Sequence, residues 1–266
     1  MVQSGWDTNT AELPSADRDG SAVDWGRSRC GSFLSLLRVP MLIPNGFSTP
    51  SMAEGVVLCD FDGTIVTMDT AEYALRKFAA GDWESYDRQL DEGKITLEEC
   101  LEREFALVGA SKSEIRSEVL KAAKLRPNFG NLISYCKDRR IRVVIVSAGL
   151  DFIAREIIRS GGWEGELELR MPRTRFTPDG ITFHFPRTRF DSSQSFKDDT
   201  VTHYHRLGRL VAYIGDGSPD FAAAEAADLA FTIRNSKLSK LCKMRRVPHR
   251  DIRDFAEVVE GLDVWH

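Results

Sequence analysis

The chain has 266 residues, 42% hydrophobic and 29% charged, with a net charge of −4. That composition suits a globular fold with a sizeable core, and the net negative balance argues against nucleic acid or an anionic membrane as partner. The longest apolar tract, residues 33–43, is broken by Ser35, Arg38 and Pro40 and is well short of the roughly 20 residues of a membrane span.

Residues 1–54 are rich in Ser, Asp, Gly and Asn without periodicity and are expected to form a disordered extension, with Met52 just ahead of the first strand. Their acidic start and lack of a small-residue exit argue against a signal peptide. Five cysteines, at 30, 59, 100, 136 and 242, form no C-x-x-C pair. Reduced thiols in a cytoplasmic chain are the expectation. Val56-Val57-Leu58-Cys59 reads as a buried strand. A charge-rich block from Thr70 to Leu125 follows, mostly helical, in which Thr96…Glu99 is a capping box. Its length exceeds a simple crossover, which predicts an inserted cap over 69–126 between core segments 55–68 and 127–266.

Pro127 is read as opening a helix that runs to Arg140, and Ile141–Val146 as a β-branched strand ending at Ser147-Ala148-Gly149. A helix is predicted from Asp151 to Arg159, a hairpin within 167–186 around Pro178-Asp179-Gly180, and a helix from Lys197 to Leu207. Leu210–Ile214 is a third buried strand, ending at Gly215-Asp216-Gly217. Helix 219–226, strand 228–233 and helices around 236–243 and 251–261 complete the pattern. Strand alternating with helix predicts an α/β fold with a doubly wound parallel sheet.

Three strands therefore end in polar clusters: Asp60/Asp62/Thr64, Ser147/Gly149 and Asp216/Asp220. Ligands of such sheets bind beyond the carboxyl ends of the strands. An i, i+2 spacing in extended chain puts Asp60 and Asp62 on one side. Each cluster alone has an ordinary reading as a turn or loop, and a lone Lys197 as a solvated side chain. Their order along the chain weakens those readings together.

Asp60-Phe61-Asp62-Gly63-Thr64, Ser147, Lys197 and Gly215-Asp216-Gly217-Ser218-Pro219-Asp220 resemble the four motifs of haloacid-dehalogenase-type phosphatases, over residues 55–262. The position of the helical block resembles the phosphoserine-phosphatase branch. The last motif, with Ala227-Asp228 and Lys237-Leu238…Cys242, is similar above all to the methionine-salvage phosphatases. Those act on 2-hydroxy-3-keto-5-methylthiopentenyl 1-phosphate, and phosphocholine/phosphoethanolamine phosphatases are a related group.

The resemblance implies a Rossmann-like phosphatase of a small phosphorylated metabolite. Asp60 would be the nucleophile that forms an aspartyl-phosphate, and Asp62 the general acid and base. Mg²⁺ would be held by Asp60, Asp216 and the backbone carbonyl of Asp62, with Asp220 behind them orienting ligands or Lys197. Lys197, Ser147 and the N–H groups near Ala148, Gly149 and Gly63 would neutralise the phosphate. Thr64 would bind phosphate or brace the loop.

Asp69 reads either as a helix N-cap or as a substrate-facing acid. Where the phosphoserine branch carries arginines for a substrate carboxylate, Glu102 and Glu104 stand here, with Arg103 out of register, and Pro219 replaces an Asn. The histidines at 184, 203, 205, 249 and 266 form no metal pair, and the basic residues of 237–250 read as a solvated face. A phospho-accepting signalling receiver is the rival from another class. A second carboxylate two residues after the nucleophile, and the helical insertion, stand against it. All the motif residues are present, so nothing favours an inactive binder. Oligomeric state leaves no mark on the sequence.

Overall fold

The computed structural model describes residues 54–178 and 180–265. Asp179, His266 and the segment before Glu54, with Cys30 and Met52, lie outside the described residues. Strand β1 (Gly55–Cys59) is buried along its whole length, as a strand covered on both faces must be. It lies between β2 (Arg142–Val146) and β6 (Leu210–Gly215), with both pairings parallel. Strands β3 (Glu168–Arg170), β7 (Leu229–Ile233) and β8 (Arg250–Ile252) complete a six-stranded parallel sheet of order β3-β2-β1-β6-β7-β8. The chain winds outward from β1 in one direction and then in the other, so the order reverses between β1 and β6. That reversal opens the crevice in which doubly wound folds bind ligands.

Side-chain alternation decides the two layers. Val57 and Cys59 face a core completed by α5 (Phe129–Asp138), α6 (Asp151–Ser160) and α10 (Phe255–Leu262). Val56 and Leu58 face the opposite core, made with α7 (Phe196–Arg206), α8 (Phe221–Ala226) and α9 (Lys237–Arg245). Between β1 and α5 the chain inserts α1 (Thr70–Phe78), α2 (Glu84–Asp91), α3 (Leu97–Phe105) and α4 (Lys112–Ala122). Sequence signals start three of these: Asp69 caps α1 by accepting from Glu72 N–H, and capping boxes Thr96/Glu99 and Ser111/Glu114 open α3 and α4. The insert joins a small hairpin, β4 (Arg173–Thr177) with β5 (Gly180–His184), through an edge-to-face pair of Phe105 and Phe183 at 5.1 Å.

Three local expectations are corrected. Of the stretch read as one hairpin, residues 168–170 leave to pair parallel with β2, because a short alternating run fits either partner. The stretch read as helical from 251 begins with β8, a three-residue edge strand too short to show a period. Pro127 stands two residues before α5, and Asn128 turns left-handed (φ 66°) between them. The four described cysteines, at 59, 100, 136 and 242, are free and buried. Among the described residues no helix is long and apolar enough to cross a membrane.

Candidate active site

Parallel register brings the motif loops together at one end of the sheet. Cys59 stands beside Ile145 and Ile214, so the segments that follow β1, β2 and β6 emerge side by side. Asp60 N–H still donates to Ile214 C=O at 2.8 Å. Beyond it the chain turns back, with the N–H groups of Thr64, Ile65 and Val66 converging on Phe61 C=O. The two carboxylates take different partners. Asp60 points to Lys197, whereas Asp62 Oδ1 accepts from Thr70 N–H at the start of α1, 2.8 Å away. Gly63 makes the turn at φ 71°, and a Cβ there would collide with the Asp216 carboxylate. A Cβ at Gly149 would likewise overlap Asp62 Oδ2, which sets the loop after β2 directly against Asp62.

The buried ammonium of Lys197 joins the two sides of the crevice, donating to Asp60 Oδ1 at 2.8 Å and Asp220 Oδ1 at 2.5 Å. Helix α7 delivers it: Ser195 caps the helix by accepting from Lys197 N–H, in a capping box with Asp198. Asp220 is 1% exposed and fully engaged. Its Oδ1 also accepts from Tyr213 Oη (2.6 Å), and its Oδ2 from the N–H groups of Asp216 (3.1 Å) and Gly217 (2.9 Å). Thr64, wholly buried, donates its one hydroxyl proton to Asp216 Oδ1 at 3.0 Å, the bracing geometry of its two readings.

Two backbone donors expected to face phosphate are already committed. Gly63 N–H bonds Met68 C=O, and Gly149 N–H bonds Ser147 Oγ at 3.2 Å. The left-handed turn at Gly63 closes on itself in this way, which the composition D-G-T does not reveal. Ser147 is 1% exposed and keeps its own proton to give. Asp69 acts as the N-cap of α1.

Two further residues shape the site without a motif to announce them. Arg126 clasps the turn after β1, donating from Nη2 to Gly63 C=O (2.6 Å) and from Nε to Thr64 C=O (2.8 Å). Tyr213 lies inside β6 and reads as an ordinary core aromatic until its hydroxyl meets Asp220.

The electrostatics are those of crowded acids. Burial, then the charges of Asp220 and Asp216, raise Asp60 against the pull of Lys197. Burial and the neighbouring Asp69 push Asp62 up to about 7, and burial with Asp220 pushes Asp216 to about 6. Burial disfavours the Lys197 ammonium, but Asp220 and Asp60 more than offset it and hold its pKa above the usual lysine range.

This donor set fits a hard divalent cation. Asp60, Asp216 and Asp220 bring oxygens within 4.8 Å of one another. Asp220 spends its oxygens on protein donors, which leaves Asp60 Oδ2 and Asp216 Oδ2 as the carboxylate oxygens for a metal. Mg²⁺ characteristically takes one or two carboxylates and fills its octahedron with water and substrate phosphate.

The chain is similar to known proteins over most of its described length. The phosphatase named 2-hydroxy-3-keto-5-methylthiopentenyl-1-phosphate phosphatase from Brevibacillus brevis is 28% identical over 212 residues, covering 78% of this chain and 94% of that protein. Its namesake from Geobacillus thermodenitrificans is 27% identical over 212 residues, with the same coverage. Among solved structures, a phospho-aspartyl intermediate analogue of phosphoserine phosphatase superposes with a TM-score of 0.61 at 19% identity, covering 79% of this chain and 99% of that one. The sequence model of the haloacid dehalogenase-like hydrolases matches residues 57–225, and the chain belongs to that family.

Proposed function

We propose that this phosphatase hydrolyses a small phosphomonoester through an aspartyl-phosphate formed on Asp60, with Mg²⁺ as cofactor. The observation that carries the reading is the buried Lys197 ammonium shared between Asp60 and Asp220, which leaves one Asp60 oxygen uncommitted beside Asp216. Lys197 offsets part of the cost of negative charge on Asp60, and a carboxylate so placed is a usable nucleophile toward phosphorus. Lys197 and the Ser147 hydroxyl offset charge on the non-bridging oxygens.

Asp62 sits near neutrality because it is buried beside Asp69, a suitable poise for giving a proton to the leaving alkoxide and taking one from water. Asp62 accepts from Thr70 N–H, while the Lys197 ammonium is shared by Asp60 and Asp220. Asp60, Asp216 and the Asp62 carbonyl would hold Mg²⁺, which when bound neutralises phosphate charge. Asp220 orients Lys197 and the loop of Asp216, and Thr64 braces Asp216. Residues 69–126 would serve as the cap that selects the leaving group over core segments 55–68 and 127–266.

The enol phosphate that names the bacterial relatives is the substrate to assay first, beside phosphoserine, phosphocholine and phosphoethanolamine. The test of the chemistry is Asp60→Asn: its turnover of p-nitrophenyl phosphate should fall to background while its circular dichroism is unchanged. Undiminished turnover would refute the assignment.

A further inference from the structure

Beside α7, at the β3 edge of the sheet, lies a groove of about 330 Å³ lined by none of the residues that carry the hydrolytic chemistry. Strand register builds its floor. Val144 pairs with Glu168 and Val146 with Arg170, and both valines face the α7 core, so alternation turns Arg142, Glu168 and Arg170 to that same face. Helix α7 supplies a wall with Thr200, His203 and Tyr204. The charges along this groove do not balance. Arg142 pairs with Glu168, and Arg209 with Glu54. Arg170 and Arg189, however, donate to one and the same oxygen of buried Asp199, Oδ2, each at 2.9 Å. The other Asp199 oxygen is taken by the N–H groups of Arg189 and Phe190. One carboxylate thus serves two guanidinium groups, and one positive charge is left over. Arg170 Nε is buried and has no hydrogen-bond partner among the described residues, a costly state for a charged donor. Burial, then the charges of Arg189 and Arg170, hold His203 below the usual histidine range, the response of an imidazole facing unmatched positive charge. Asp199 stands two residues after Lys197, about 200° around the helix, so α7 presents Lys197 to Asp60 and Asp199 to the groove.

We propose that this groove is a second anion site, separate from the catalytic crevice, whose ligand is a phosphate group, either free or carried by a small ester. Guanidinium forks meet tetrahedral oxyanions through paired, charge-assisted N–H···O bonds, and Arg170 and Arg189 offer two such forks side by side. With the His203 ring protonated on binding, two positive charges stand unmatched. A phosphate dianion matches them, and a single carboxylate does not. The other end of the groove is charge-balanced, since Glu168 takes Arg142 and accepts from the Tyr204 hydroxyl at 3.5 Å. Val144, Leu169 and Leu207 give that end an apolar lining with room for the carbon skeleton of an ester. Free phosphate is also what a phosphatase releases, so its own product is one of the two sources.

His203 reports on occupancy of the groove. NMR of the full chain with ring-labelled histidine, assigned through His203→Gln, follows its signals as inorganic phosphate is added at fixed pH and ionic strength. Those signals should move saturably, and acetate should need at least about tenfold more to reach the same shift. Arg189→Gln should weaken the phosphate response at least about tenfold, whereas Arg142→Gln, at the balanced and exposed end, should leave it within about twofold. Asp60→Asn should leave the response as it is, which separates this site from the catalytic one and lets it stand or fall apart from the aspartyl-phosphate reading. Should Arg189→Gln lose its circular dichroism, Arg189→Lys takes its place, keeping the charge without the fork and weakening the response at least about threefold. Glycerol 2-phosphate titrated into the Asp60→Asn protein distinguishes the sources. Tighter binding than free phosphate supports an ester as the ligand, and looser binding supports the product. His203 signals indifferent to phosphate overturn the proposal, as do equal responses to acetate and phosphate, or an unchanged response in a folded Arg189 variant.

Discussion

Asp220 shows how one carboxylate can organise a site without reacting in it. Four donors from Lys197, Tyr213, Asp216 and Gly217 converge on its two oxygens in a buried setting. Removing its charge would leave the Lys197 ammonium with Asp60 alone and free two backbone N–H groups, a change that typically costs about 3–5 kcal/mol. Asp220→Asn is therefore expected to lower both Tm and kcat. Tyr213→Phe removes one neutral partner and should cost only about 1 kcal/mol, read by urea unfolding. Glu104 sets a pH dependence of stability. Burial, then the charge of Asp87, raises it from 4.5 to about 8, with Asp69 and Cys100 as further neighbours. The folded state therefore binds a proton more tightly than the unfolded state. The resulting stabilisation is complete below about pH 4.5 and is lost as pH rises through 8. Tm should fall less between about pH 6 and about pH 9 in Glu104→Gln than in the wild type; equal slopes would refute this.

Helix starts matter at the next scale because they aim side chains. Helix α7 presents Lys197 from its first turn, and the Ser195 cap sets where that turn begins. Ser195→Ala should cost about 1 kcal/mol of stability, as N-cap losses do. It should also raise KM for p-nitrophenyl phosphate, because the ammonium is no longer held in place. Thr96→Ala, at the cap of α3, should show a similar stability loss without the KM change for the aryl substrate, because α3 carries none of Asp60, Asp62, Ser147, Lys197 and Asp216. The Thr96/Glu99 capping box was legible as an S/T-x-x-E pattern, since such a cap depends on residues three apart, whereas the Ser195/Asp198 box emerged from the structure. The two misread strands, β3 and β8, are three residues each, and partners distant in sequence form them.

The whole molecule gathers four motifs spread from residue 60 to residue 220 at the reversal of strand order between β1 and β6. Crowding acids there without a matching cation is unfavourable, and a divalent ion bound to the folded state alone would relieve it. Adding Mg²⁺ to metal-free protein should raise Tm in a concentration-dependent way through this linkage. Chelation should abolish turnover and leave the far-ultraviolet circular dichroism unchanged, because the sheet core does not depend on the site. A Tm indifferent to Mg²⁺ would argue against the acidic cluster as its binding place.

Local pattern by itself determined the alternating α/β order, the helical insertion and the identity of the polar residues at the strand ends, because periodicity and capping are properties of neighbours in sequence. The motif resemblance links Asp60, Asp62, Ser147, Lys197 and Asp216 to a single chemistry from sequence alone. Tertiary structure alone decided where each proton and charge goes. It tied Asp62 to Thr70 N–H, committed Thr64 to Asp216, and brought in Arg126 and Tyr213. It also buried Glu104 in the last turn of α3, with its Oε1 unpaired among the described residues. Those outcomes depend on contacts between residues as far as 152 positions apart, as between Thr64 and Asp216, and on burial, neither of which short-range spacing can encode.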